Sequence, residues 1–212
     1  MKRILLPACL LALALPSFSS AAEKGFISLW DGKTFNGWKK SVDNPDTFKI
    51  EDGAIVANGP RAHLYYVGDV HGGKFENFEL KIDVMTKPHS NGGVYFDTDY
   101  QAEGWPAKGF EVQVNNSHTD WRRSGGLYAI DDVKNPPSVD NKWFTEHIIV
   151  KGKHVQIFID GKKQVDWTQP DDWTPPKGME GRFIGAGSSF ALQGHDPGST
   201  VYYKNIRVKP LD

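Results

Sequence analysis

Phe78, Leu80, Ile82 and Val84 alternate with Glu79, Lys81 and Asp83. That period of two predicts a strand with one face in a core and the other in water. The same rhythm returns in short runs along the chain. Phe48-Lys49-Ile50 and Ile55-Val56 flank Glu51-Asp52-Gly53, which predicts a hairpin turning at Asp-Gly. His147 to Val150 and Val155 to Ile159 flank Lys151-Gly152-Lys153 as a second hairpin, and Asp160-Gly161 turns the chain towards Gln164-Val165. Phe190 to Gln193 and Val201 to Val208 predict two closing strands. No long segment carries the 3.6-residue period of a helix. Many short strands between turn residues predict an all-β fold, and at this length a jelly-roll sandwich of two antiparallel sheets.

One stretch resists strand assignment. Asn115 to Lys142 contains Trp121-Arg122-Arg123, Gly125-Gly126, Asp131-Asp132 and Asn135-Pro136-Pro137. It reads either as a surface excursion or as a wall or lid over a site. Arginines beside a tryptophan favour the second, because such groups suit polar ring ligands.

The N-terminus sets the expected compartment. Lys2 and Arg3 precede an apolar run from Ile4 to Pro16, and Ser19-Ser20-Ala21-Ala22 supplies small residues for cleavage. Residues 1–22 therefore read as a secretory signal, and 23–212 as a single exported domain, secreted or periplasmic. No other run is apolar enough to span a bilayer. The only cysteine, Cys9, lies in the leader, so the remainder has no disulfide and rests on its core. Without Lys2 and Arg3, 23 basic residues face 26 acidic ones, a net of about −3. No basic run is visible, which speaks against a nucleic-acid partner. Cysteine-based or close-paired histidine metal sites are absent from the sequence.

Chemistry concentrates in Gly109-Phe110-Glu111-Val112-Gln113-Val114. Alternation puts Glu111 and Gln113 on one face and Phe110, Val112 and Val114 on the other. A carboxylate beside an amide on a sheet face is either a solvated surface or the floor of a site for a polar ligand.

Further motifs surround that strand. They are Phe26 to Trp38 (FISLWDGKTFNGW), Ser90 to Phe96 (SNGGVYF), Ile157 to Gly161 (IFIDG), Leu192 to Pro197 (LQGHDP) and Lys204 to Leu211 (KNIRVKPL). In this order and spacing the chain resembles the 3-keto-disaccharide hydrolase domain family, also described as 3-keto-glucoside 1,2-lyase/3-keto-2-hydroxyglucal hydratase domains. The resemblance implies a concanavalin A-like jelly roll, an exported protein, and action on or binding of oxidised sugars. The chain departs from the family pattern at Phe96-Asp97 and at Lys204, where arginines are common.

An ordinary glycosidase sets two carboxylates roughly 5–10 Å apart across the scissile bond. The strand face here offers Glu111 but then Gln113. A 3-keto sugar relaxes that need, because the ketone acidifies the hydrogen on carbon 2 and one base can start an elimination. Such a site needs a base, a donor for the developing enolate oxygen, and an acid for the leaving group. Glu111 is the candidate base, with Gln113 orienting hydroxyls, and His195 the candidate base or acid. Asn91, or a divalent cation such as calcium held by Asp97, Asp99 or Asp196, would stabilise the enolate. Trp105 and Trp121 would stack on sugar faces, and Tyr95, Arg122 and Gln193 complete the expected substrate-binding set.

Each has a structural alternative. Asn91-Gly92-Gly93 reads equally as a turn and His195 to Gly198 as a tight connection. Asp97 and Asp99 read as wet-side caps, and Trp30, Trp38 and Trp143 as core or packing residues. The function is then cleavage of 3-keto-glycosides; the alternative is a non-catalytic, lectin-like carbohydrate-binding module. The enzyme reading also implies an oxidoreductase, a sugar 3-dehydrogenase, that supplies the ketone.

Overall fold

The computed structural model describes residues 23–211, so the leader lies outside the described residues. Its strands are β1 Ile27–Ser28, β2 Trp38–Lys40, β3 Phe48–Glu51, β4 Ala54–Asn58, β5 Ala62–Tyr66, β6 Phe78–Thr86, β7 Asn91–Thr98 and β8 Phe110–Asn115. They continue as β9 Arg123–Leu127, β10 Asp131–Val133, β11 Phe144–Lys151, β12 His154–Ile159, β13 Lys162–Thr168, β14 Ser189–Gly194 and β15 Thr200–Pro210. One sheet runs β13-β12-β11-β6-β15-β4-β3, with β1 also on β15; the other runs β10-β9-β8-β7-β14-β5-β2. All pairings between these strands are antiparallel. The fold is the two-sheet jelly roll that the alternation predicts, with the concanavalin A-like architecture that the resemblance implies.

The predicted hairpins form for the predicted reason. Asp52 and Gly53 both take positive φ (49° and 70°), as do Asp160 and Gly161 (47° and 74°). Two positive-φ residues match the twist of the flanking strands, and Asp-Gly tolerates them well. β6 buries every second residue, Phe78, Leu80, Ile82 and Val84 among them. These face Val94 and Phe96 of β7 and Phe110, Val112 and Val114 of β8 in one core. Each such side chain contributes roughly 1.5–3 kcal/mol by leaving water.

β7, β8 and β14 are buried at every position, not every second one. Their outer face is therefore covered as well. The covers are chain segments: the Tyr100–Gly109 loop, the Asn116–Arg122 loop with the turn after β9, and the long connection from β13 to β14.

Two expectations change here. The stretch from Asn115 to Lys142 is not strandless, because β9 and β10 lie within it. Ser124-Gly125-Gly126 has little strand propensity of its own; β9 forms by pairing with β8 and by packing on β12 and β13. Trp143 is not core: it is 38% exposed, with Lys204 Nζ 3.9 Å from its ring centre. Trp30 and Trp38 are buried as expected.

Candidate active site

Strand register builds the floor. Tyr95 of β7 sits opposite Glu111 of β8, and Gly93 opposite Gln113. On the other side of β7, Gly93 faces Gln193 of β14, which in turn faces His63 of β5. Gly93 lets Glu111 lean inward. A Cβ there would meet Glu111 Oε1 at 2.6 Å and its Cγ at 2.9 Å.

Glu111 is 5% exposed and held on both oxygens. The Tyr95 hydroxyl donates to Oε2 at 2.7 Å and the Gln193 amide donates to Oε1 at 3.0 Å. Arg182 Nη2 stands 3.8 Å from Oε2, an electrostatic contact rather than a hydrogen bond. Burial pushes the Glu111 carboxyl above the usual carboxylate range; Arg182, Tyr95 and Gln193 pull it partly back. A more basic carboxylate that its neighbours still favour as an anion suits a general base.

Gln113 and Gln193 each spend their amide nitrogen inside the protein, on Asn91 Oδ1 at 3.0 Å and on Glu111. Their carbonyl oxygens are buried without a hydrogen-bond partner, and both residues line the cleft. Asn91 is tied down through its backbone N–H, which donates to Ser199 Oγ at 2.8 Å. Ser199 Oγ donates to Asp196 Oδ2 at 2.7 Å, and the same oxygen meets His195 Nδ1 at 2.8 Å. A carboxylate on Nδ1 fixes the orientation of the ring. Trp105 packs its ring 5.5 Å from that of His195.

The walls come from irregular segments. The β13–β14 connection reaches across as Gly178–Arg182. It is pinned by Gly109 N donating to Gly181 O at 3.0 Å and by Trp173 Nε1 donating to Arg182 O at 2.7 Å. Only glycine fits at 181, where a Cβ would lie 1.9 Å from Ala107 O. This contact delivers Arg182, 7% exposed, over the Tyr95 ring. Asp120 and Tyr128 form the opposite wall, and Trp105, Pro106 and Ala107 the rim. The cleft measures about 590 Å³, within the usual range for small-molecule sites.

Of the expected residues, Glu111, His195, Asn91, Tyr95, Trp105, Gln113 and Gln193 line this one cleft. Asn91-Gly92-Gly93 is strand rather than turn, and His195 to Gly198 is both the β14–β15 connection and part of the site. Trp121 and Arg122 are not lining residues. Trp121 is 47% exposed, and Arg122 is spent on Asp132 Oδ2 at 3.1 Å and on the Trp121 and Tyr128 rings. The segment does form a wall, but through Asp120 and Tyr128.

The three aspartates do not make one cation set. Asp196 lies by His195, near the Asn91 end of β7. Asp97 and Asp99 lie at its other end, about 20 Å away at strand rise. There Asp97 Oδ2 accepts from Gly185 N and Asp99 Oδ1 from Ser188 N. Asp97 is 2% exposed, and burial pushes its carboxyl up to about 7. Among the described residues no three His, Cys, Asp or Glu side chains converge as a metal site would require. Lys204 sits on the outer surface against Trp143.

Arg182, Asp120, Tyr128 and Met179 escape the sequence reading. Arg182 carries no local signal, since only the contact at Gly181 brings it in. Together the site offers a carboxylate base, a guanidinium and a phenol beside it, and a carboxylate-oriented imidazole at the rim.

A family model for a 3-keto-alpha-glucoside-1,2-lyase-like domain matches residues 25–209. A 3-keto-disaccharide hydrolase of Bacteroides thetaiotaomicron is 28% identical over 89% of this chain and 79% of its own length. A Parabacteroides distasonis protein provisionally described as a glycosyl hydrolase superposes with a TM-score of 0.74 at 23% identity, over 89% of this chain and 94% of its own. The carbohydrate-binding module CBM66 of Bacillus subtilis shares the fold at a TM-score of 0.58 and 15% identity, over 82% of this chain and 95% of its own.

Proposed function

The chain belongs to the 3-keto-alpha-glucoside-1,2-lyase-like domain family, and from that premise we propose that it is a carbohydrate-active enzyme that cleaves 3-keto-glycosides by elimination and hydration. The observation that carries this reading is the buried Glu111 carboxylate, held by Tyr95 and Gln193 with Arg182 beside it. The relative named as a 3-keto-disaccharide hydrolase supports hydrolysis of an oxidised sugar as the net reaction.

Glu111 removes the proton on carbon 2. The C–H electron pair moves into the ring ketone and charge develops on its oxygen. Arg182 is the donor placed to meet that charge, because its guanidinium is buried and already oriented. The enolate then collapses: a carbon 1–carbon 2 double bond forms and the carbon 1–oxygen bond breaks. His195, held by Asp196, gives its proton to the departing oxygen. Water adds to carbon 1 of the enone with its proton passing to His195, and Glu111 returns a proton to carbon 2. Proton count and electron count are both restored, and the sum is hydrolysis. The two Gln carbonyls accept from substrate hydroxyls and fix the ring above Glu111.

Lys2, Arg3 and the apolar run after them support export in this reading, and a 3-keto substrate implies a sugar 3-dehydrogenase that acts first. The test is incubation of the protein with 3-keto-trehalose and 3-keto-lactose beside the unoxidised sugars, with and without chelator, followed by mass spectrometry. Products from the keto forms alone support the enzyme. Binding without product supports the carbohydrate-binding alternative.

A further inference from the structure

Nine buried side-chain polar atoms among the described residues lack a hydrogen-bond partner. Two are the Gln carbonyls of the cleft floor. Five others gather beside the cleft, not in it: Asp43 Oδ1, Arg61 Nε, both ring nitrogens of His63, and the Tyr65 hydroxyl. Each buried polar atom left unpaired costs stability, so five in one patch give a hydroxyl-bearing ligand a set of groups to satisfy.

The patch is one surface. Arg61, His63 and Tyr65 occupy alternate positions at and within β5, so they share a face. His63 sits opposite Gln193 and Tyr65 opposite Ala191, which makes it the same face as the cleft floor. Arg61 Nη2 pairs with Asp43 Oδ2 at 3.1 Å. The His63 ring lies 6.1 Å from the Tyr65 ring and 5.8 Å from the Tyr95 ring.

Trp105 divides this patch from the cleft. Its ring centre lies 5.6 Å from that of His63 and 5.5 Å from that of His195, and the Arg61 guanidinium stands 5.4 Å from it. Its loop is tied to the patch by Gly104 N, which donates to Asp43 Oδ2 at 3.0 Å. Gln101 Nε2 donates to Trp105 O at 2.8 Å and Ala107 N donates to Gln101 Oε1 at 2.9 Å, so the backbone is held and the indole moves by turning about its own side-chain bonds. The indole is 46% exposed on its other side, so solvent is open to it.

We propose that Asp43, Arg61, His63 and Tyr65 form a second sugar subsite, which takes the departing unit of a disaccharide once the Trp105 indole moves off it. This rests on the elimination reading of the cleft. His195, which protonates the departing oxygen in that reading, touches the same indole, so the departing sugar leaves towards the patch. The chemistry fits a neutral, hydroxyl-rich ring. Asp43 and Arg61 cancel in charge, which disfavours an ionic ligand. His63 stays neutral, because burial drives its pKa down to about 3, and a neutral imidazole donates once and accepts once. The Tyr65 hydroxyl also does both. A sugar hydroxyl can answer each of them.

The test compares 3-keto-trehalose with methyl 3-keto-α-glucoside, in kcat/KM, for the unmodified protein, His63→Leu and Tyr65→Phe. Melting temperature is measured alongside. The expected result is that each substitution lowers the preference for the disaccharide about tenfold, without lowering the melting temperature. A purely structural role for these groups would leave the ratio between substrates untouched. An unchanged ratio in both variants overturns the subsite. If the unmodified protein turns over neither keto substrate, the elimination reading fails, and calorimetry with trehalose and methyl glucoside decides the subsite separately. A disaccharide preference that His63→Leu abolishes supports it; equal binding of the two, or no binding, overturns it.

Discussion

The Tyr95 hydroxyl donates to Glu111 Oε2 at 2.7 Å, between residues that face each other on neighbouring strands. Tyr95 also accepts from Gln193 Nε2 at 3.2 Å, so three strands meet at one carboxylate. The contact stabilises the anion. Tyr95→Phe removes it, leaving burial less opposed, so the Glu111 carboxyl titrates higher. The acid limb of the kcat/KM profile should move to higher pH. Turnover at mildly acid pH should fall roughly threefold to tenfold. A pH–rate series on a 3-keto-glucoside checks the direction.

Gly93→Ala should disable the enzyme without unfolding it. Its φ is not positive, so alanine carries no backbone strain there; the clash is with Glu111 Oε1 and Cγ. The carboxylate has to shift, and small displacements of a catalytic group cost about 100-fold. The expected outcome is loss of kcat with a melting temperature within a few degrees of the unmodified protein, read by steady-state kinetics and calorimetry.

Arg182→Met should cost more in kcat than in KM. It removes the charge that meets the enolate, worth about 100- to 1,000-fold for a preorganised donor. It also leaves the buried Glu111 without its nearest cation. Free guanidinium should restore part of the rate to Arg182→Ala, which a merely structural arginine would not permit.

Glu146 makes a prediction about stability alone. It points into the core from β11, 1% exposed, with both oxygens unpartnered. Burial, helped by the charge of Glu111, holds its carboxyl well above the usual range. The folded chain therefore keeps this proton where the unfolded chain releases it, near 4.5. Between those two pH values the folded state binds more protons, so stability falls as pH rises. Below about 4.5 the penalty is absent. Glu146→Gln should flatten that loss, and Glu146→Leu should raise the melting temperature at neutral pH by a few degrees. Thermal melts from pH 4 to pH 8 decide it.

The fold was readable because its main strands alternate strictly, as β6 does, and because Asp52-Gly53 and Asp160-Gly161 mark their turns chemically. The floor was readable for the same reason: period two puts Glu111 and Gln113 together whatever surrounds them. The walls were not. Arg182 arrives through a backbone contact between Gly181 and Ala107–Gly109, and no local pattern encodes a contact 70 residues apart. β9 hid behind Ser124-Gly125-Gly126, whose strand state comes from its neighbours. Trp121 and Arg122 had the right chemistry and the wrong direction, because Asp132 takes the guanidinium. Asp97 and Asp99 follow Tyr95 closely in sequence, yet the strand bulges at Asp97 (φ 53°), and both carboxylates accept from the backbone of Gly185 and Ser188 instead.

The most direct test of proton abstraction by Glu111 is cleavage of 3-keto-trehalose in deuterium oxide, with early products read by mass spectrometry and NMR against an enzyme-free control. Deuterium on carbon 2 of the released 3-keto-glucose, with neither release nor deuterium from Glu111→Gln, is the predicted result. Undiminished release of 3-keto-glucose by Glu111→Gln, with or without deuterium at carbon 2, would contradict it.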